Sequence, residues 1–324
     1  MASLPEKEMS SMEYRTFGRT GLRVSVAGMG AGGPSQLGKK TGRSEEESIA
    51  VVRRALELGV NYIDTAEAYG TEEIVGKAIR GFDRDSLVVA TKKNAFREGE
   101  PVPAKEFAAG VESCLKRLGV ETIDVFHFHG ARLEQYRHIC DELVPVLQSM
   151  QKAGKIRHLA VSEHFASDFE HELLQQAIED DLFDVVMVGF NILNQTARRR
   201  VLPATRKKGI ATECMFAVRR AFSNPVRLRE ILVNLRRSDE IDADAVDLLK
   251  PLEWVLEESD ARTLPEAAYR FCRHEPGIDV VLTGTGNIRH LEENVTSLLR
   301  PPLPEEVVKR LRGIFGRVHS VNGS

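Results

Sequence analysis

The feature that most restricts this chain is a regular alternation of short β-rich runs with amphipathic helical stretches, sustained through nearly the whole sequence. YRTF and LRVS flank GRTG and predict a hairpin. SVAGM then predicts a strand, and SEEESIAVVRRALELG a helix in which Ser44 is the N-cap, Glu47 completes a capping box and Gly59 ends the run. VNYID, LVVATK, DVFHFH, HLAVS, DVVMVG, ATECM and VVLTG predict seven more strands. Helical patterns lie between them, including AKEFAAGVESCLKRLG, whose Phe107, Val111, Leu115 and Leu118 share one face, and stretches near 133–153 and 167–179. The amphipathic PEEVVKRLRGIF completes the chain. Strands separated by helices imply a parallel sheet, and eight such units imply a closed (β/α)8 barrel with an N-terminal hairpin and a C-terminal helix. The alternative is a doubly wound open sheet, whose phosphate loop needs a GxGxxG that GMGAGG near Gly28 only half supplies. Segment 217–262, with Trp254 the only Trp, interrupts the rhythm and predicts a lid or an oligomer contact.

Residues 1–12 have no apolar signal core and read as a mobile tail, which leaves 13–324 as one barrel domain. With 42% hydrophobic residues the chain supports a large core, and its net charge of -3 argues against a nucleic-acid partner. No apolar run approaches the roughly 18 residues of a membrane span. Cys114, Cys140, Cys214 and Cys272 are widely spaced without a CxxC pair, as expected of reduced thiols in a cytoplasmic protein, and no metal is implied.

Barrel active sites gather at the C-terminal ends of the strands. The second strand ends in Asp64, with Tyr69 shortly after; the third ends in Lys92, followed by Lys93; the fourth ends in His129. Successive strands thus bring an acid, a phenol, an amine and an imidazole to one rim. Period-two alternation puts His127 on the same face as His129, one layer deeper, where it reads as a buried structural partner. Lys93 faces away from Lys92 and reads as a surface charge.

These segments resemble the aldo-keto reductase family. NYIDTAEAYGTEE is similar to its Asp-Thr-Ala-x-x-Tyr-Gly-x-Glu signature, VVATKK to its Thr-Lys strand, and IDVFHFHG to the strand that ends in the catalytic His. KIRHLAVSEHF resembles its Gly-Lys-Ile-Arg…Val-Ser-Asn-Phe segment, and LTGTGNIRHLEEN its adenine-site segment. The resemblance runs from about residue 13 to 318. It implies an NAD(P)H-dependent oxidoreductase that reduces an aldehyde, ketone or sugar carbonyl, with NADP(H) favoured and NAD(H) possible. Tyr69 would be the proton donor, Lys92 would lower its pKa, Asp64 would hold Lys92, and His129 would bond the substrate oxygen and share in proton transfer. The alternatives are an NAD-linked sugar or alcohol dehydrogenase, or a slow cofactor-sensing binding protein.

The departures from the family pattern cluster at the cofactor. Its Ser-Asn carboxamide pair is Ser162 and Glu163 here, and Glu163 can accept from the amide NH2 but cannot donate to its carbonyl. The family's Gln aligns with Met187, and its ring-stacking aromatic with Met215, Phe216 being adjacent. Glu293 and Asn294 match the adenine contacts, whereas Gly284 and His290 stand where basic residues bind the 2′-phosphate; Thr285 keeps a hydroxyl. Gly30 lies at the cofactor end of the first strand. Arg220 is the first choice for a phosphate partner, with Arg219 and Arg289 as alternatives.

Overall fold

The computed structural model describes residues 11–324, so the tail expected at 1–12 lies almost wholly outside it. Eight parallel strands form a closed barrel: β1 (Ala27–Gly30), β2 (Tyr62–Asp64), β3 (Val88–Lys93), β4 (Ile123–Ala131), β5 (Ile156–Glu163), β6 (Val185–Gly189), β7 (Ala211–Met215) and β8 (Val280–Thr283). They pair in sequence order, and β8 closes onto β1 through Val281↔Ala27 to Thr283↔Met29. That closure excludes the open sheet.

Two apolar layers follow from strand alternation. Inside the barrel sit Tyr62, Val88, Ala90, Val125, Ala160, Val185, Ala211 and Val280. Between strands and helices lies the larger layer, in which Phe126 and Phe128 of β4 meet Phe107 of the helix Ala104–Leu118. The N-terminal hairpin (Tyr14–Thr16 with Arg23–Ser25) seals the barrel's bottom: Phe17 is fully buried edge-on to Tyr62, with ring centroids 5.4 Å apart. Gly18, at φ 47, makes this seal possible, because a Cβ there would lie 2.5 Å from the Ala211 nitrogen and the Gly209 oxygen. At the other helix boundaries, Ser44 and Glu47 form the expected capping box.

Several local expectations are corrected. The helix expected near 167–179 begins only at Glu172, because the Asp168 carboxylate accepts from the N–H groups of Glu172 and Leu173 (both 2.9 Å) and His171 is left-handed at φ 62. The long helix near 133–153 widens to a π turn at Ile139–Leu143, just before Pro145, which has no N–H to continue the ladder. Lys93 does face away from Lys92 but is no surface charge. It is 7% exposed, bonded to Glu67 at 2.6 Å, with its stem against Gly110. Segment 217–262 carries the helices Arg220–Ser223, Pro225–Arg237 and Glu253–Glu257, and Leu228, Ile231, Leu232 and Leu235 bury one face of the middle one. No helix among the described residues is long and apolar enough to cross a membrane.

Candidate active site

At the C-terminal mouth of the barrel, β2 and β3 place Asp64 and Lys92 side by side. Lys92 Nζ donates to both Asp64 carboxylate oxygens at 2.6 Å and to the Thr65 carbonyl at 2.8 Å, all buried. A single turn, Glu67–Tyr69, ended by left-handed Gly70, folds the Tyr69 ring over this ammonium, 5.1 Å from Nζ to the ring centroid. Tyr69 Oη lies 3.4 Å from His129 Nε2. Gly32 packs against the tyrosine ring; a Cβ there would come within 2.5 to 2.9 Å of its carbons.

Charge states follow from this packing. Burial works against the Lys92 ammonium, but Asp64 and its other acidic neighbours outweigh it and hold the group above its ordinary pKa. Burial raises the Tyr69 phenol, and Lys92 offsets this only in part, so the net shift is upward rather than downward as expected from the charge alone. Tyr69 is therefore a protonated phenol at neutral pH. Burial first, then Lys92, His127 and His164, push His129 down to about 3. His129 is thus a neutral imidazole, suited to hydrogen-bonding a substrate oxygen rather than to carrying its proton, and its Nδ1 is buried without a partner.

One layer beneath, Glu213 of β7 takes hydrogen bonds from Tyr62 and, at 3.0 Å, His127, all three fully or nearly fully buried. His127 is the structural partner its position predicted; Glu213 was not singled out in the sequence.

A single cavity of about 900 Å³ runs from this quartet along the rim to the start of the helix Ile288–Leu298. It is lined by Gly30, Ser162, Glu163, Met187, Met215, Phe216, Gly284, Thr285, His290, Glu293 and Asn294. Every expected cofactor residue except Arg220 is therefore on one continuous wall. Arg220 starts a short helix, exposed and outside the lining; Arg219 points in instead. Its guanidinium lies 4.2 Å from the Phe216 centroid and bonds Ser324. Burial lowers its pKa, and among the described residues no carboxylate side chain forms an ion pair with it. Arg289 is bonded to Glu293 at 3.0 Å.

Phe216 takes the left-handed conformation, φ 67, and its ring sits 6.0 Å from Phe165, which sequence reading overlooked although it closes the VSEHF segment. Ser162 Oγ accepts from the Gly130 N–H at 2.9 Å, leaving its own proton to donate. Glu163 does not present a free carboxylate to the cavity: its side chain is fully buried and bonded to His171. Asn294 donates to Thr283 Oγ1 at 2.8 Å.

A family model described as the aldo/keto reductase family matches residues 28–315. The chain belongs to this family. This aldo-keto reductase is 25% identical to L-galactose dehydrogenase of Arabidopsis thaliana, over 90% of its own length and 89% of the relative's. It is 29% identical to the aldo-keto reductase YhdN of Bacillus subtilis, over 87% of both chains. Among solved structures, the holo form of the aldo-keto reductase AKR11C1 from Bacillus halodurans superposes with a TM-score of 0.71 at 21% identity, covering 96% of this chain and 100% of that one. The protein is an oxidoreductase of a fold and family that act on carbonyl compounds.

Proposed function

We propose that this aldo-keto reductase exchanges a hydride between a nicotinamide dinucleotide and a carbonyl or alcohol carbon, with Tyr69 as the group that gives and takes the oxygen-bound proton. The observation that carries this reading is the buried Asp64–Lys92 pair under a protonated Tyr69 that faces a neutral His129. A substrate oxygen between Tyr69 Oη and His129 receives one hydrogen bond from each, and Tyr69 delivers the proton as hydride reaches carbon.

The volume and lining of the cavity support an extended dinucleotide as its occupant. Its volume is at the upper end of the roughly 300–1,000 Å³ typical of cofactor sites. The bound cofactor supplies the hydride. Ser162 would hold the carboxamide, Phe216 the ring region, Arg219 a phosphate, and Thr285, Glu293 and Asn294 the adenosine end. Arg219 lies on the β7 side, by Phe216, while the Gly284–His290 end offers no free guanidinium. We therefore assign Arg219 to the pyrophosphate and expect both NADPH and NADH to bind, with little preference. The name of the Arabidopsis relative supports a hydroxylated, sugar-like substrate.

Tyr69→Phe tests the reading. It removes the proton donor and should reduce turnover roughly 10²–10⁴-fold with cofactor affinity unchanged, measured by nicotinamide absorbance and calorimetry. Near-normal turnover in this variant overturns the assignment.

A further inference from the structure

The last two residues of β3 face opposite ways, and each reaches the stretch of chain that carries Tyr69. Lys92, inside the barrel, donates to the Thr65 carbonyl just after β2. Lys93, on the helix side, donates to a Glu67 carboxylate oxygen at 2.6 Å, and Glu67 opens the single turn that ends in Tyr69. The Lys93 side chain is held in place. It lies in a slot left by Gly110 of the helix Ala104–Leu118, where a Cβ would come within 2.3 to 2.7 Å of Cδ, Cε and Nζ.

The same helix supplies a second cation, since Arg117 Nη2 lies 3.6 Å from the other Glu67 oxygen. Arg117 Nε donates to Glu72 at 2.5 Å, and the second Glu72 oxygen accepts from Thr91 Oγ1 at 2.6 Å. Thr91 shares the outer face of β3 with Lys93, and Glu72 opens the helix Glu72–Ile79 that follows the turn. A circuit of β3, Glu67, Arg117 and Glu72 thus closes behind the turn. The flanks of the turn have their own anchors: Thr65 Oγ1 meets Thr71 Oγ1 at 2.8 Å, and Thr71 donates to the Ala31 carbonyl at 3.2 Å. Between these flanks the Tyr69 and Gly70 N–H groups bond back into the turn, to the Ala66 and Glu67 carbonyls. Exposed Lys39 adds one bond to the Gly70 carbonyl. Glu67 is therefore where the turn is fastened to the body of the barrel.

A buried ion pair adds little net stability over apolar side chains of similar volume, so a lysine at this position is explained by where it holds Glu67. We propose that Lys93, acting through Glu67, is a positioning residue for proton transfer: it fixes the turn so that the Tyr69 hydroxyl stays beside His129. This rests on the reading above, in which Tyr69 is the proton donor. Burial, Lys92 and Asp64 shift the Tyr69 phenol, whereas Lys93 acts on where the hydroxyl sits. A displacement of about 1 Å is enough to cost roughly 10²-fold in rate.

Reduction of benzaldehyde by NADPH, with calorimetric cofactor binding, tests this in Lys93→Met and Glu67→Ala. In both, kcat should fall roughly 10- to 100-fold, while cofactor affinity and the pH profile of kcat match wild type. Glu67→Ala, at a partly exposed side chain, serves if Lys93→Met does not fold. In the Tyr69→Phe background neither change should lower the residual rate further, because no hydroxyl remains to be placed. A crystal structure of Lys93→Met should show Tyr69 Oη farther from His129 Nε2 than the present 3.4 Å. Wild-type kcat in both folded variants, an equal loss in the Tyr69→Phe background, or an unmoved Tyr69 overturns the positioning role and leaves Tyr69 as the donor. Near-normal turnover in Tyr69→Phe alone instead overturns the reading on which the role rests.

Discussion

Replacing Lys92 by Met separates what the buried pair does for the fold from what it does for chemistry. Lys92 is 1% exposed, and the change leaves the Asp64 carboxylate in place without the two bonds of 2.6 Å that satisfied it. Breaking such a pair by removing one partner costs about 3–5 kcal/mol, because the remaining charge stays desolvated. Glu213 adds to the strain, since its negative charge also acts on Asp64. At about 2 °C per kcal/mol for a chain of this length, the melting temperature should drop roughly 6–10 °C. Asp64→Asn/Lys92→Met carries no uncompensated carboxylate and should regain most of that loss in thermal denaturation followed by circular dichroism. Turnover should remain low in both, since neither has a cation under the Tyr69 phenol. If Lys92→Met melts with the wild type, or the double variant melts no higher than the single one, the pair is not the buried, mutually dependent unit described here.

His129 makes stability pH-dependent with a definite sign. Its folded pKa, about 3, is below its unfolded value, so the unfolded state takes up the proton first and stability falls as pH drops below about 6.5 toward 3. Between pH 7 and 5 this costs about 2 kcal/mol, which denaturant titration should find missing in His129→Gln; equal pH dependence in both proteins refutes the assignment. Gly32→Ala drives a methyl into the Tyr69 ring and should lower kcat by about 10²-fold with the fold intact, whereas an unchanged kcat would mean the ring is free to shift. Arg219→Ala should weaken NADPH and NADH alike by about 1.5–3 kcal/mol in calorimetric titration, and Arg220→Ala should change neither; the reverse order would restore Arg220 as the phosphate contact.

The barrel was legible because each strand carries its own local pattern, and the quartet because each of its residues sits at or just past a strand end. What was missed depends on partners far along the chain. Glu163 looked like a carboxamide ligand, and only Thr196 and His171, itself left-handed, reveal that its carboxylate is engaged elsewhere. Lys93 had the right facing, but its burial comes from Glu67 in the turn after β2 and from Gly110 in the helix layer. Glu213 meets His127 across 86 residues, a separation no local pattern encodes. Arg219 and Arg220 are neighbours with the same chemistry, and only the turn after β7 decides which one faces inward.

The charged layer beneath the quartet has a consequence for how this catalyst can vary. Barrel interiors are usually filled by branched apolar side chains, which carry no information upward. Here Glu213, held by Tyr62 and His127, acts electrostatically on both Asp64 and Lys92. The foundation of the site is thus also one of its controls. Substitutions at this depth retune the proton donor while every surface the substrate touches stays the same, so activity and substrate choice can drift independently of one another.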